Sequence, residues 1–101
     1  MLLPYHDDEY VRRQMREVGF LIAYHRRQKG LSQAKLADAA GISRQHLAAV
    51  EASSMQRPFS VEFLIKIAAV LEISPAELFE YDKKRVTIVT KKLQNYFGCD
   101  F

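Results

Sequence analysis

Residues 30–51 read GLSQAKLADAAGISRQHLAAVE, and this stretch decides the fold. Gly30 suits the left-handed C′ position that ends a helix. Two residues on, Ser32 can cap a new helix by accepting a bond from an orphaned backbone N–H. Leu36, Ala37 and Ala40 then form an apolar side until Gly41 breaks the helix. Ile42 enters the core and Ser43 caps the next helix, over residues 43–52. At about 100° per residue, Leu47 and Val50 share one side of that helix. Gln45, Ala49 and Ala52 share the opposite side, with Arg44 and Ala48 flanking.

The connection around Gly41 is short enough that the two helices must pack on each other. Small Ala37 suits their crossing, and a Cβ at Gly41 would strain a left-handed turn. The start of the second helix is left protruding, with Arg44 and Gln45 on it. A merely solvated helix more often carries Lys and Glu where this one carries glutamine and alanines. The B-DNA major groove, about 12 Å wide, admits one such helix.

Upstream, a first helix is expected from near Asp7 or Asp8 to the residues before Gly30. Val11, Met15, Val18 and Ile22 mark its apolar stripe. Gly19 interrupts it at a cost of about 1 kcal/mol relative to Ala, and a break there is the alternative. Downstream, residues 53–59 read as a loop. Ser60 caps a fourth helix that buries Phe63, Leu64, Ile67, Ala68 and Leu71. Ser74-Pro75 opens a fifth, anchored by Leu78 and Phe79. Arg85–Thr90 is dense in β-branched residues and reads as a strand.

Composition narrows the function classes. The chain has 101 residues, 49% of them hydrophobic and 27% charged, which suits one compact globular domain. The formal net charge of +3 permits a polyanionic partner without requiring one. It is unevenly spread: residues 12–30 carry +5 and residues 60–80 carry −3. The single cysteine, Cys99, excludes an internal disulfide framework and a Cys-rich zinc module. The apolar stretch Val18–Tyr24 falls far short of the roughly 18–20 residues that span a bilayer. The segment Met1–Pro4 lacks the basic start of a signal peptide, so a cytoplasmic location is expected. His6 beside Asp7 and Asp8 is contiguous rather than convergent, so no metal site is expected. No nucleophile–base order, catalytic carboxylate pair or phosphate-cradling glycine loop appears, so neither an enzyme nor a cofactor is expected.

The run from Arg26 to Glu51 resembles the phage-repressor/Cro-like, Xre-type helix-turn-helix family. Gly-Leu-Ser-Gln, then Leu-Ala, then Gly-Ile-Ser-Arg, then Glu stand at that family's spacing, and the resemblance extends from Val18 to Tyr81. It implies an all-α, five-helix lambda-repressor-like DNA-binding domain over 18–81. Residues 1–17 would then be an N-terminal arm or an extension of helix 1. Residues 82–101 would be a C-terminal tail, with the β-branched run as a candidate dimerisation strand.

Carried over by position, the resemblance assigns Gln33 to the DNA backbone and to buttressing Gln45. Ser43, Arg44 and Gln45 match the phosphate-contacting and base-reading start of the recognition helix, and Ala49 a further base-facing position. Gln56 and Arg57 lie in the loop that approaches the phosphates. Arg26 and Glu51 match a buried ion pair between helices 1 and 3. The implied function is sequence-specific binding of double-stranded DNA as a homodimeric transcriptional regulator, a repressor by family habit. The alternative is an antitoxin-like or other protein-interaction module, with a toxin or the transcription machinery as partner. The chain departs from the family at His25, where Leu is usual, and at Ser53, where Gly is frequent. The 53–59 loop is also poor in basic residues; Arg12, Arg13, Lys83 and Lys84 are candidate substitutes.

Overall fold

Serine side chains open every helix after the first. The computed structural model describes residues 8–52 and 57–79. Over these residues it comprises α1 (Asp8–Gln28), α2 (Gln33–Ala40), α3 (Arg44–Glu51), α4 (Val61–Leu71) and a closing 3-10 turn (Pro75–Leu78). Ser32 Oγ accepts the Lys35 N–H at 3.0 Å, Ser43 Oγ the His46 N–H at 3.1 Å and Ser60 Oγ the Phe63 N–H at 3.0 Å. Each satisfies one of the donors that a helix start leaves without an intrahelical partner. Gly41 closes the α2–α3 turn at φ 68°, the left-handed conformation expected of it.

The fifth expected helix is, among the described residues, a single 3-10 turn. Glu77 N–H bonds the Ser74 carbonyl at 2.9 Å and Phe79 N–H the Ala76 carbonyl at 3.0 Å, both spanning three residues. The Glu77 carboxylate also accepts the Ser74 N–H, completing a capping box. Leu78 is fully buried there, whereas Phe79 is 62% exposed and anchors nothing. The strand and tail expected over 82–101, with Lys83, Lys84 and Cys99, lie outside the described residues, as do His6 and Gln56.

One core takes residues from every element. Val18, Leu21 and Ile22 of α1 meet Leu36 and Ala37 of α2, Leu47 and Val50 of α3, and the Phe63–Leu71 face of α4. Ala37 is completely buried, as its place at the α2–α3 crossing requires. The apolar stripe of α1 reaches the core only from Val18 onward. Met15 is half-buried and Val11 is exposed, because Asp8–Glu17 run past the elements that α1 packs against. His25, where the family usually has Leu, is half-buried with its ring edge-on to Tyr24.

Helix α1 is unbroken at Gly19, so the alternative of a break there is not realised. The glycine serves a close approach instead. A Cβ on Gly19 would lie 2.1 Å from the Val50 carbonyl oxygen and 3.1 Å from its carbon. These are backbone atoms at the end of α3, which cannot rotate aside as a side chain would.

Just beyond this crossing lies the expected buried ion pair. Arg26 Nε and Nη2 donate to the two Glu51 carboxylate oxygens, each at 2.9 Å, with the two side chains only 8% and 5% exposed. Arg26 Nη1 donates to the Leu31 carbonyl at 2.8 Å. One side chain thus ties α1 to the end of α3 and to the turn before α2. Among the described residues no buried side-chain polar atom lacks a partner. A more exposed pair, Lys29 to Glu72 at 2.6 Å, joins the end of α1 to the end of α4. The Lys29 bond and charge hold the Glu72 carboxyl below the usual range.

Two stability measurements follow from these contacts. Gly19→Ala gains up to about 1 kcal/mol of helix propensity but overpacks against the Val50 carbonyl. A net destabilisation of about 1–3 kcal/mol is expected in urea unfolding; a stabilised variant would mean that α1 can move off α3 freely. Glu51→Ala strands a buried guanidinium and should cost about 3–5 kcal/mol. The double change Arg26→Met with Glu51→Leu should cost less than the two single changes combined, and strict additivity would argue against the pair.

Candidate nucleic-acid interface

The start of α3 is open to solvent. Ser43, Arg44 and Gln45 are all exposed, while Leu47 and Val50 on the opposite side are buried. Ala49 is half-buried, as are Ala48 and Ala52 farther along. The geometry required of a groove-reading helix is therefore met: Gln45 is open to solvent and its helix is held from behind. Small residues leave room for a base edge or a thymine methyl to approach.

Gln33, the first residue of α2, does not reach Gln45. Its Nε2 donates to Glu51 Oε1 at 3.0 Å, joining the Arg26–Glu51 pair. In this structure the Gln33 amide supports the end of α3. The Glu51 carboxylate offers several lone pairs in one place, and Arg26 leaves one of them for Gln33. The Gln33 carbonyl and its second amide hydrogen remain for another partner. Behind it, Ser32 Oγ has taken the Lys35 N–H and the Ser32 carbonyl the Leu36 N–H. The Gln33 and Ala34 N–H groups sit at the helix start, where no intrahelical acceptor exists.

Arg44 is held by α2. Its Nε lies 3.2 Å from Asp38 Oδ1 and its Nη2 2.8 Å from Asp38 Oδ2. Both side chains are 62% exposed. The bond to Asp38, and then its charge, push the Arg44 pKa above its ordinary value, so Arg44 stays cationic. Arg57 is exposed, at the near end of the loop whose residue Gln56 is outside the described set.

Four residues at this face had no assigned role in the sequence. His46 Nε2 lies 2.9 Å from the Pro58 carbonyl, an acceptor only, so Nε2 is the donor. Its ring also packs on Phe63 at 4.6 Å between centroids. His46 therefore pins the residue next to Arg57 against α3 and α4. Arg16 and Arg27, with Phe20 and Ala23 between them, line an open cleft of about 320 Å³ that Gln33, Ala48, Glu51 and Ala52 complete. The spacing Arg16, Phe20, Ala23, Arg27 is a helical stripe and was readable as such. Its facing residues were not. Asp38 is the fourth, and its distance of six residues from Arg44 hides the pairing. Among the described residues no group of acidic, histidine or cysteine side chains could hold a metal ion. Nor is any described helix long and apolar enough to cross a membrane.

Comparison with known proteins agrees with this geometry. The helix-turn-helix family model HTH_3 matches residues 22–78. The transcriptional regulator SinR of Bacillus subtilis is 35% identical over 63 residues, covering 62% of this chain and 56% of SinR. The chain thus spans little more than half the length of that relative. Among solved structures, the restriction-modification controller protein C.AhdI of Aeromonas hydrophila is 37% identical with a TM-score of 0.60, over 64% of this chain and 96% of that one. SinR in a complex with DNA is 35% identical with a TM-score of 0.58, over 62% of this chain and 98% of that one. A SinR–SinI protein complex is 29% identical with the same TM-score of 0.58, over 77% of this chain and 80% of that one. The fold, the residues of its α2–α3 unit and these matches agree: the chain belongs to the HTH_3 helix-turn-helix family, of the Cro/C1, Xre type.

Proposed function

We propose that this chain is a sequence-specific DNA-binding transcriptional regulator of the repressor kind, acting in the cytoplasm as a homodimer. The observation that carries the reading is an exposed Arg44–Gln45 pair at the capped start of α3, on a helix fixed from behind by a buried ion pair. Gln45 would bond adenine N6 and N7, and Arg44 guanine O6 and N7. Ser43, Gln33 and the first N–H groups of α2 would meet phosphates, as helix starts do. Ala49 would face a base, and Gln56 and Arg57 the backbone beyond. The relatives support this reading: SinR is a transcriptional regulator and has been solved with DNA.

Residues 18–81 would be the DNA-binding unit, with residues 1–17 extending helix 1 and residues 82–101 serving dimerisation. The family's fifth helix would continue the Pro75–Leu78 turn, and the run Val86–Thr90 would pair across the two-fold axis. Two recognition helices would then lie one duplex turn apart, about 34 Å, on a near-palindromic site. Arg16 and Arg27 would add phosphate contacts that the base-poor 53–59 loop does not supply. No cofactor, metal or catalysis enters this reading.

A second reading is a protein-interaction module, antitoxin-like or docking on transcription machinery. It is favoured by Val61, Ile65 and Phe79, exposed at 72%, 50% and 62%, and by the SinR–SinI complex among the relatives. A stoichiometric protein that co-purifies with the chain, together with little salt-dependent duplex binding, would decide for it.

The test is in vitro selection of duplexes at two salt concentrations, which reads specificity and counterion release together. Gln45→Ala should change which bases are selected; an unchanged motif would defeat the base-reading role. Arg57→Ala should weaken all duplexes about equally and reduce the salt slope by about 1. Deleting residues 82–101 should yield a monomer in sedimentation with much weaker operator binding, and an unchanged profile would remove the tail from the dimer.

A further inference from the structure

Asp38 and Arg44 each sit at the wrong end of their own helix. Asp38 is in the last turn of α2, where the negative end of the helix dipole disfavours an acid. Arg44 is the first residue of α3, where the positive end disfavours a cation. The tight turn at Gly41 brings these two ends together, and the Asp38 carbonyl itself accepts the Gly41 N–H at 3.3 Å. Each unfavourable placement is offset by the other.

The pairing uses one particular edge of the guanidinium. Nε and Nη2 face the two Asp38 oxygens at 3.2 and 2.8 Å. A guanidinium has five N–H donors in a rigid fork, so three remain: two on Nη1 and one on Nη2. The Nη1–Nη2 edge keeps two parallel donors, the arrangement that matches guanine O6 and N7. An ion pair this exposed adds little to folding stability. What it does is restrict the torsions of a long side chain before any ligand arrives, which lowers the ordering cost of binding.

We propose that Asp38 is a positioning residue for base reading, clamping one edge of Arg44 so that the other edge is presented to a guanine. The proposal rests on the DNA-binding reading above and its pairing of Arg44 with guanine, and adds what aims that side chain. It also assigns Asp38 a second effect. A carboxylate beside the start of α3 repels phosphates, so it lowers affinity for every duplex while keeping Arg44 from settling on the backbone. Selectivity rises as general affinity falls.

The experiment compares the full chain with Asp38→Asn, Asp38→Ala and Arg44→Ala in duplex selection and in salt-dependent titration. Thermal unfolding of each variant runs alongside. The wild type should prefer guanine at one position of each half-site, and Arg44→Ala should lose that preference. Both Asp38 variants should lose about five- to tenfold of the discrimination at that position, part of the value of a bidentate base contact. They should bind mismatched duplexes as tightly as the wild type or more tightly, with a salt slope steeper by up to about 1 as Arg44 turns to phosphate. Their unfolding midpoints should stay at or above the wild-type value. A merely structural role would lower the midpoint and weaken all duplexes together with the preference unchanged. Undiminished guanine preference in Asp38→Ala overturns the clamp alone, and a guanine preference that survives Arg44→Ala overturns the assignment of that base to Arg44. A wild-type chain that selects no sequence overturns the DNA-binding reading itself.

Discussion

The carboxylate of Glu51 is the point on which the arrangement of the first three helices depends. It closes α3 and receives Arg26 from α1 and Gln33 from α2 within about one residue's breadth. Two charges this buried are costly to desolvate, and the cost is offset only when every donor and acceptor is used. Here Arg26 Nε, Nη1 and Nη2 each donate, to Glu51 or to the Leu31 carbonyl, the Gln33 amide adds a bond to the carboxylate, and no buried side-chain nitrogen or oxygen among the described residues lacks a partner. The gain is directional rather than large. A hydrophobic contact would tolerate sliding of α3 along α1, whereas a planar fork fixed at three points does not. Gly19 permits the approach, since α1 can come down on the Val50 carbonyl only where no side chain intervenes.

The exposed ion pairs do different work. Arg16–Glu9, Lys66–Glu62, Lys29–Glu72 and Arg44–Asp38 all have at least one partner largely open to water, where screening leaves little net stabilisation. Their effect is on where long side chains rest. Lys29 meets Glu72, which closes α4 in the left-handed conformation at φ 58°, a position where glycine would be unstrained. Its side chain gives α1 a link to α4 that glycine would lack. The buried pair thus sets the backbone, and the surface pairs set side-chain aim upon it.

What was legible in the sequence divides by distance along the chain. The caps at Ser32, Ser43, Ser60 and Ser74 and the left-handed Gly41 are decided within three or four residues, so local chemistry revealed them. The buried face of each helix followed from periodicity, because a 3.6-residue repeat marks the side that meets a core. Periodicity does not say where a helix leaves that core, which is why Val11 and Phe79 read as buried and are exposed. The Arg26–Glu51 pair came from family resemblance; its spacing of 25 residues carries no signal of its own. Gly19 read as a flaw in α1 because its reason, a carbonyl 31 residues later, lies in the crossing. The same blindness to packing hid the Gln33 bond to Glu51, the Asp38–Arg44 pair and the His46 link to Pro58.

These contacts give the protruding end of α3 its particular mechanical state. The C-terminal end of the helix is locked by Glu51, its middle by Leu47 and Val50 in the core, and its flank by His46 on Phe63. What stays outside is one turn, already capped by Ser43 and carrying Arg44 and Gln45. In the DNA-binding reading proposed above, a turn anchored in this way would meet a mismatched partner with lost contacts more readily than with a shifted backbone. The choice of alanine at positions 48, 49 and 52 fits that state. A helix with bulky side chains there would exclude most surfaces, whereas small ones would leave the approach to two long side chains, as the DNA-binding reading requires. Rigidity behind and brevity in front are then two halves of one requirement, and both trace to the chain's having placed its only buried arginine where α1, α2 and α3 meet among the described residues.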